Sequence, residues 1–206
     1  MATKSGSATF LAALKARRTY YALKPSSPIS NEKIQEIVNE VVLHTPSSFN
    51  SQTTRAVILF GDEHKKLWSI ITHDALKAVV PADAFAATAQ KVAGFANGYG
   101  TVMFFEDQVG VKKLQDAFPL YAPNFPVWSE HTAGAHHINT WTALEAEGLG
   151  ANLQHYNPLI DDAVRKEWNI PETWALRAQL VFGERAGEPG PKTFVPIEER
   201  VKTYGN

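Results

Sequence analysis

The stretch HTPSSFNSQTTRAVILFG, from His44 to Gly61, joins a helix end to an apolar strand through an unusually polar segment. Its second half, Arg55 to Gly61, is a nearly continuous apolar run of strand length, which predicts a central strand buried on both faces. Its first half contains four short hydrogen-bonding side chains, Ser47, Ser48, Asn50 and Gln52. A plain turn needs only one or two such side chains. The surplus indicates that this strand entrance binds something.

Helical and strand patterns continue on both sides of this stretch. They predict helices over residues 7–18, 30–44 (capped by Ser30), 62–79 (capped by Asp62), 81–96, 111–118, 129–147 and 159–168. Further strands are predicted over 99–107, within 147–158 and over 173–183, where Trp174, Leu176, Ala178, Leu180 and Phe182 would share one side. Residues 121–128 are expected to form a loop. Four strands separated by six or seven helices predict a three-layer α/β or α+β sandwich in one domain.

Composition limits the class of protein. The 206 residues carry a net charge of −1 and no cysteine, which argues against nucleic acid and anionic membranes and excludes disulfides and thiolate catalysis. No apolar run approaches the ~20 residues of a membrane span. Five basic residues precede the first acid, Glu32, so a cleaved presequence is an alternative to the expected cytoplasmic location.

Familiar catalytic and nucleotide-binding motifs are missing from the sequence. It contains no G-x-G-x-x-G after a strand, no P-loop, no H-E-x-x-H and no G-x-S-x-G. His131, His136 and His137 cluster, but their i, i+5, i+6 spacing scatters them around a helix. We therefore expect solvated or hydrogen-bonded histidines and no metal site.

Two further polar sites stand apart from the opening stretch. Arg17 and Arg18 in RRTYY offer bidentate donors suited to a phosphate, although an exposed basic pair is the ordinary interpretation of such a motif. Lys192 in GPKTF is a lone cation in a Gly/Pro loop, and the tail after it, residues 193–206, is expected to be an arm that packs on a second subunit.

Four segments occur in an order that resembles the FMN-dependent nitroreductase family, in particular its short fungal and bacterial branch. They are RRTYYAL, TPSSFNSQTTRAVIL, GLGANLQ and the late lysine of GPK. The resemblance covers nearly the whole chain. It implies an α+β nitroreductase-like fold with a mostly antiparallel central sheet, and a homodimer with the C-terminal arm exchanged and FMN bound at the subunit interface.

The resemblance also implies roles for particular residues. Arg17, Arg18, Thr19 and Lys192 would hold the FMN phosphate and ribityl chain, and Lys91 the pyrimidine edge. Pro46, Ser47, Ser48 and Asn50 of the partner would line the flavin, with Gln52 supporting their loop. Residues Gln154, His155 and Tyr156 would approach the reactive flavin nitrogen. Two departures from the family pattern are Phe194, where a second basic residue is common, and QHYN, where a proline-acid-glycine turn is usual.

The implied activity is NAD(P)H-dependent, ping-pong reduction of nitroaromatic or quinone-type acceptors. Tyr121, Phe125 and Trp128 would wall the acceptor pocket, or would simply pack between helices. Two alternatives remain: a flavin-binding stress or metabolic regulator with little turnover, and a cofactor-free binding domain.

Overall fold

The chain folds around a five-stranded sheet, with its third and fifth strands in the interior. The computed structural model describes residues 6–205, so Lys4 of the basic N-terminus and Asn206 of the arm lie outside the described residues. In chain order the strands are β1 (Leu23–Lys24), β2 (Thr54–Phe60), β3 (Gly100–Asp107), β4 (Leu149–Gln154) and β5 (Trp174–Arg185). Their order is β1-β5-β3-β2, β4 also pairs with β5, and every pairing is antiparallel.

Helices flank this sheet along the described part of the chain. They are α1 (Ala8–Ala16), α2 (Asn31–His44), α3 (Gly61–Lys66), α4 (His73–Val79), α5 (Ala82–Ala96), α6 (Gln108–Ala117), α7 (Phe125–Ala146), α8 (Asp161–Glu167) and α9 (Ile197–Arg200). A wider π-helical stretch, Leu67–Thr72, joins α3 to α4. The predicted helix over 62–79 is therefore one helical segment, but the predicted cap is wrong: the segment begins at Gly61 after Phe60, and Asp62 lies in its first turn. Ser30 caps α2 by accepting from the Lys33 amide, as predicted.

Apolar clusters on the two faces of the sheet make the three layers. One cluster joins the region of α3 to α5 and α8 to the sheet through Leu67, Trp68, Val92, Phe95, Val164, Met103 and Phe105. The other joins α2 and α7 to the opposite face through Ile34, Val38, Leu144, Val102 and Phe104. Successive residues of β3 alternate between the two clusters, as the period of a strand requires. The predicted α+β three-layer sandwich is confirmed.

The single-sided alternation predicted for β5 is wrong. The register shifts between Phe104 and Phe105, which pair with Ala178 and Leu176 and leave Arg177 as the extra residue of a bulge. A bulge inverts the phase of a strand. Leu176 therefore packs in one cluster, and Leu180 in the other.

β2 is an edge strand, contrary to the prediction of a central one. Within residues 6–205 it pairs with β3 alone, and its side chains from Arg55 to Ile58 are only partly buried. An apolar run has the same appearance in a central strand and in an edge strand whose side chains line a cleft. Arg55 also forms an ion pair with Asp107 at 3.0 Å.

Residues 121–128 are largely helical, where a loop was expected. A 3₁₀ turn covers Pro119–Asn124, and α7 begins at Phe125. Pro126 is tolerated because a first helical turn has amides without partners inside the helix.

The C-terminal arm extends from the sheet without entering either cluster. Phe194, Val195, Ile197, Val201 and Tyr204 are each at least 55% exposed. Backbone bonds within 196–201 are local ones that shape α9. None of the helices among the described residues is long and apolar enough to cross a membrane.

Candidate functional site

Arg17 lies directly after α1 with much of its guanidinium group buried. Its amide donates to Ala13 O at 3.0 Å and ends the helix. The guanidinium carbon lies 4.4 Å from the centroid of the Trp141 ring on α7. Its Nε and Nη1 atoms are buried and have no hydrogen-bond partner within the protein. Buried donors of this kind are rare in proteins, and these two are free to donate to an acceptor from outside the chain.

Arg18 connects this position to the C-terminal loop. Its Nη2 donates to the carbonyl of Gly190, two residues before Lys192. The Lys192 ammonium is exposed and lies 5.1 Å from the centroid of the Phe194 ring. The predicted phosphate ligands Arg17, Arg18 and Lys192, which we call the basic site, thus belong to two segments that meet in the fold.

Glu145 of α7 holds residues of the basic site in place through hydrogen bonds. One carboxylate oxygen accepts the Arg18 amide at 2.9 Å, and the other accepts the Trp141 indole N–H at 2.7 Å. Burial raises the pKa of Glu145, and these hydrogen bonds and nearby Arg185 and Arg17 oppose the rise. Sequence reasoning missed both Glu145 and Trp141, although their i, i+4 spacing on a long helix predicts contact.

Thr19 and the following residue run beside β4. Thr19 forms a parallel bridge with Ala151, and the Tyr20 amide donates to Ala151 O at 2.9 Å. Buried Asn152 donates to Tyr20 O and accepts from Gln154 Nε2, each at 2.8 Å. This hydrogen-bonded chain connects the end of β4 to the segment that follows Arg17 and Arg18.

The turn after β4 holds its three predicted residues in different environments. Gln154 is buried, and His155 is exposed. The Tyr156 ring packs on Trp68 and Phe95 in the core, and burial raises the pKa of its hydroxyl. Its amide already donates to the side chain of a buried glutamine, Gln179, at 2.9 Å. Of the three side chains, only that of His155 is exposed at this turn.

Lys91 lies on the same side of the sheet as this turn. It is exposed on α5, and its Nζ is 5.9 Å from the centroid of the Phe95 ring. Phe95 in turn contacts Tyr156. Phe95 thus lies between Lys91 and the turn after β4, and the role of Lys91 at the pyrimidine edge stays a prediction.

The Ser47–Gln52 loop is ordered and strained. Ser47 Oγ accepts the Gln52 amide at 2.9 Å, and Ser47 O accepts the Asn50 amide at 3.0 Å. Phe49, Asn50 and Gln52 have φ values of 55°, 51° and 48°. Three non-glycine residues in the left-handed region cost free energy, and such strain concentrates at functional sites. Pro46 and Asn50 are exposed at this loop, and Ser48 is partly buried.

A buried carboxylate anchors the end of this loop. Glu106 of β3 is fully buried and accepts hydrogen bonds from the hydroxyls of Thr53, Thr54 and Ser129. These three donors come from the loop end, from β2 and from α7. Glu106 of β3 therefore ties the end of this loop, β2 and α7 together.

Five aromatic rings form one aromatic cluster against the loop: Phe49, Phe118, Tyr121, Phe125 and Trp128. Phe49 lies at its centre, with ring centroids 4.9 to 5.9 Å from the other four, and it is nearly parallel to Trp128. Phe125 is buried, whereas Phe49 and Tyr121 are 49% and 42% exposed. The predicted pocket residues Tyr121, Phe125 and Trp128 are thus brought together. Phe49 was missed, although it stands between Ser48 and Asn50 in the polar block.

The basic site and the Ser47–Gln52 loop do not meet within one chain. Among residues 6–205 no hydrogen bond, ion pair or ring contact joins them. An open cleft of about 730 Å³ does lie beside the loop, between α2 and the free edge of β2. Its lining includes Ser47, Gln52, Arg55 and apolar side chains such as Val38 and Ile58.

The histidines of α7 form hydrogen bonds or ring contacts, or are exposed. His136 Nδ1 lies 2.9 Å from Thr132 O, the ring of His137 packs on Phe104, and His131 is exposed. Within the described ranges, no group of three or more His, Asp or Glu side chains is arranged to hold a metal ion.

Known proteins resemble the chain over nearly its whole length. A profile described as the nitroreductase family matches residues 14–184. HBN1 of Saccharomyces cerevisiae is 46% identical over 193 residues, and nitroreductase FRM2 of the same yeast is 40% identical over 195. Each match covers 93% of this chain and 95% of the relative.

Solved structures agree with these sequence relatives. Nitroreductase CinD from Lactococcus lactis in complex with nicotinic acid is 51% identical with a TM-score of 0.88, covering 95% of this chain and 100% of CinD. Other CinD structures contain chloramphenicol and 4-nitrophenol. A structure from Desulfovibrio desulfuricans in complex with FMN, 19% identical with a TM-score of 0.67, shares the fold. With its fold and these similarities, the chain belongs to the nitroreductase family of oxidoreductases.

Proposed function

We propose that the protein is an FMN-dependent oxidoreductase that uses NAD(P)H to reduce nitroaromatic or quinone-type acceptors in a ping-pong reaction. The observation that carries the proposal is the basic site of a nitroreductase-family chain. There, Arg17 holds two buried nitrogen donors without partners beside Arg18 and Lys192. Desolvated guanidinium donors need an anion, and phosphate accepts bidentate donation well.

The residues around the basic site fit the remainder of FMN. Thr19 beside β4 would approach the ribityl chain, and the segment Gln154 to Tyr156 and Lys91 would border the ring. Two features support this: the Asn152 side chain links Gln154 to the backbone of Tyr20, next to Thr19, and the Phe95 ring lies between Lys91 and Tyr156 of the same turn. When bound, FMN supplies the hydride chemistry, so the chain needs no nucleophile of its own.

The Ser47–Gln52 loop would complete the site from a second copy of the chain. Pro46, Ser47, Ser48 and Asn50 would offer short donors and acceptors to the flavin edge, and Gln52 would hold the loop. The homodimer is supported by the separation of this loop from the basic site within one chain. It is also supported by the free edge of β2 and by an arm with five exposed apolar side chains.

The aromatic cluster would receive the acceptor. It adjoins the loop that would line the flavin, and the exposed ring of Tyr121 beside the partly buried ring of Trp128 favours flat ligands by stacking. CinD structures with 4-nitrophenol and nicotinic acid support aromatic ligands for this family branch. NAD(P)H and the acceptor would occupy this place in turn, which is the basis of the ping-pong order. We place the enzyme in the cytoplasm.

The first experiment is the absorption spectrum of freshly purified protein, followed by turnover. We expect a yellow protein that oxidises NAD(P)H in the presence of a quinone or nitroaromatic compound. A yellow protein without turnover would instead support a flavin-binding regulator. A protein that stays colourless with excess FMN would contradict the proposal altogether.

Replacing Arg17 by alanine tests the phosphate contact. We expect FMN binding to weaken by about 1.5–3 kcal/mol, as for loss of a hydrogen bond to a charged group. Flavin content after dialysis and the equilibrium Kd measure the loss. Lys15→Ala removes an exposed charge from the last turn of α1 and is the matched control. Unchanged FMN retention in Arg17→Ala would reject the role.

A further inference from the structure

We infer that Trp141 and Glu145 are positioning residues for the phosphate group, because they hold the Arg17 guanidinium in its binding orientation. The inference rests on the proposed function and names two residues of α7 that have no place in the predicted flavin site. They act through Arg17 and do not themselves need to touch the cofactor.

The first observation is the platform under Arg17. The guanidinium carbon lies 4.4 Å from the Trp141 ring centroid, well inside the ~6 Å at which a cation is attracted to an aromatic face. A ring contact uses none of the guanidinium N–H groups. Nε and Nη1 accordingly have no hydrogen-bond partner within the protein, so no protein acceptor competes with an anion for them.

The second observation is that one carboxylate orients both parts of this arrangement. Glu145 is 7% exposed and accepts the Trp141 indole N–H at 2.7 Å. This bond fixes the rotation of the ring, since the indole has only one polar hydrogen. The other oxygen accepts the Arg18 amide at 2.9 Å, which fixes the backbone that follows Arg17.

The third observation is that Glu145 does not use the donors of Arg17. Its carboxylate oxygens are occupied by the Arg18 amide and the indole, and the nearest guanidinium nitrogen of Arg185 is 3.9 Å away. A carboxylate that paired directly with Arg17 would compete with phosphate for the same N–H groups. Glu145 makes no hydrogen bond to Arg17 and holds it through the ring and the backbone, which leaves the N–H groups of Arg17 for the ligand.

The test compares FMN with riboflavin, which lacks the phosphate. We expect Trp141→Leu to weaken FMN binding about 3- to 30-fold, the value of a cation–ring contact, and to leave riboflavin binding within twofold. Trp141→Phe keeps an aromatic face and should restore most of the FMN affinity. Glu145→Gln keeps the Trp141 ring but weakens the hydrogen bond that orients it. This variant should lower the affinity for FMN by a smaller factor and leave the affinity for riboflavin unchanged.

A matched control is available on the other side of the molecule. The Trp168 indole donates to Glu63 at 2.8 Å, so Trp168→Leu removes a similar indole–carboxylate pair away from the basic site. It should leave the ratio of FMN to riboflavin affinity unchanged.

The outcomes separate the two proposals. The positioning role is overturned if Trp141→Leu weakens FMN and riboflavin binding equally, or if neither Trp141→Leu nor Glu145→Gln weakens FMN binding. Both results leave the proposed function intact. If Trp141→Leu does not fold, Glu145→Gln still decides the question through the same ratio. A wild-type protein that binds neither flavin overturns the proposed function and the inference together.

Discussion

Two histidines are buried in this molecule in environments that disfavour their charged form. Burial lowers the pKa of His64 to about 4 and that of His137 to about 4, the latter with a further contribution from neighbouring His155 and His136. His64 Nδ1 contacts the Thr101 hydroxyl at 2.8 Å, and the ring of His137 packs on Phe104. Both side chains are therefore neutral core groups at neutral pH.

This burial predicts a loss of stability in mild acid. Between pH 6.5 and about 4 the unfolded chain binds protons on these histidines and the folded chain does not, so the free energy of unfolding falls as pH falls. Each histidine contributes at most about 3 kcal/mol. Urea unfolding at pH 7.5, 6 and 5 measures the slope.

Replacement of His137 by leucine should flatten this pH dependence. His131→Leu on the same helix is the control, because that side chain is exposed, and it should retain the wild-type slope. Equal slopes in His137→Leu and the wild type would show that His137 has the same pKa in the folded and the unfolded chain.

At the scale of elements, β5 organises the sheet through a position that tolerates no side chain. A Cβ on Gly183 would lie 2.5 Å from Lys24 O and 3.0 Å from Tyr99 N. These atoms belong to β1 and to the residue before β3, both of which pair with β5. The junction of three strands therefore requires glycine for close approach.

We expect Gly183→Ala to destabilise the protein by about 1–3 kcal/mol, as overpacking does. Gly94→Ala is the matched control, because nothing lies within 4 Å of a Cβ at that position of α5. It should stabilise the protein by about 0.5–1 kcal/mol through helix propensity. Midpoints of urea unfolding measure both effects. A Gly183→Ala variant as stable as the wild type would mean that β1 and β3 are not held this closely.

At the scale of the whole molecule, the arm and the cleft are apolar surfaces that a single chain leaves uncovered. The five exposed apolar side chains of the arm contribute nothing to the core of their own chain. Burying them against a second copy would stabilise a dimer by the hydrophobic effect.

Truncation after Pro191 should therefore shift the protein from dimer to monomer in sedimentation velocity. That truncation also removes Lys192, so a chain ending at Lys192 isolates the arm, and Lys192→Ala in the full chain isolates the charge. We expect both truncations to weaken the dimer and Lys192→Ala to leave it intact. A truncated protein that remains fully dimeric would reject the exchanged arm.

Local patterns predicted much of this fold because their physical causes are local. The apolar stripe and Ser30 cap of α2, the buried run of β3 and the glycine between α7 and β4 follow from helix and strand periods and from capping. The roles of Arg17, Arg18 and the Ser47–Gln52 loop came from a resemblance over the whole chain, and they remain proposals for this protein.

Position in the sheet was not predictable in the same way. The bulge at Arg177, the edge location of β2 and the two-residue β1 depend on which strand lies beside which. The strained φ values of Phe49, Asn50 and Gln52 likewise depend on ring contacts and on the Glu106 anchor.

By itself, the sequence determined most of the helices and strands, that no cysteine chemistry is possible, and where polar side chains are in surplus. Periodicity and composition act between near neighbours, so they can be read without coordinates. Only the tertiary structure decided that Arg18 reaches Gly190, that Glu145 and Trp141 lie under Arg17, and that Phe49 enters an aromatic cluster. These contacts join residues that are far apart along the chain, and only the packing of the two layers of helices on the sheet brings them together.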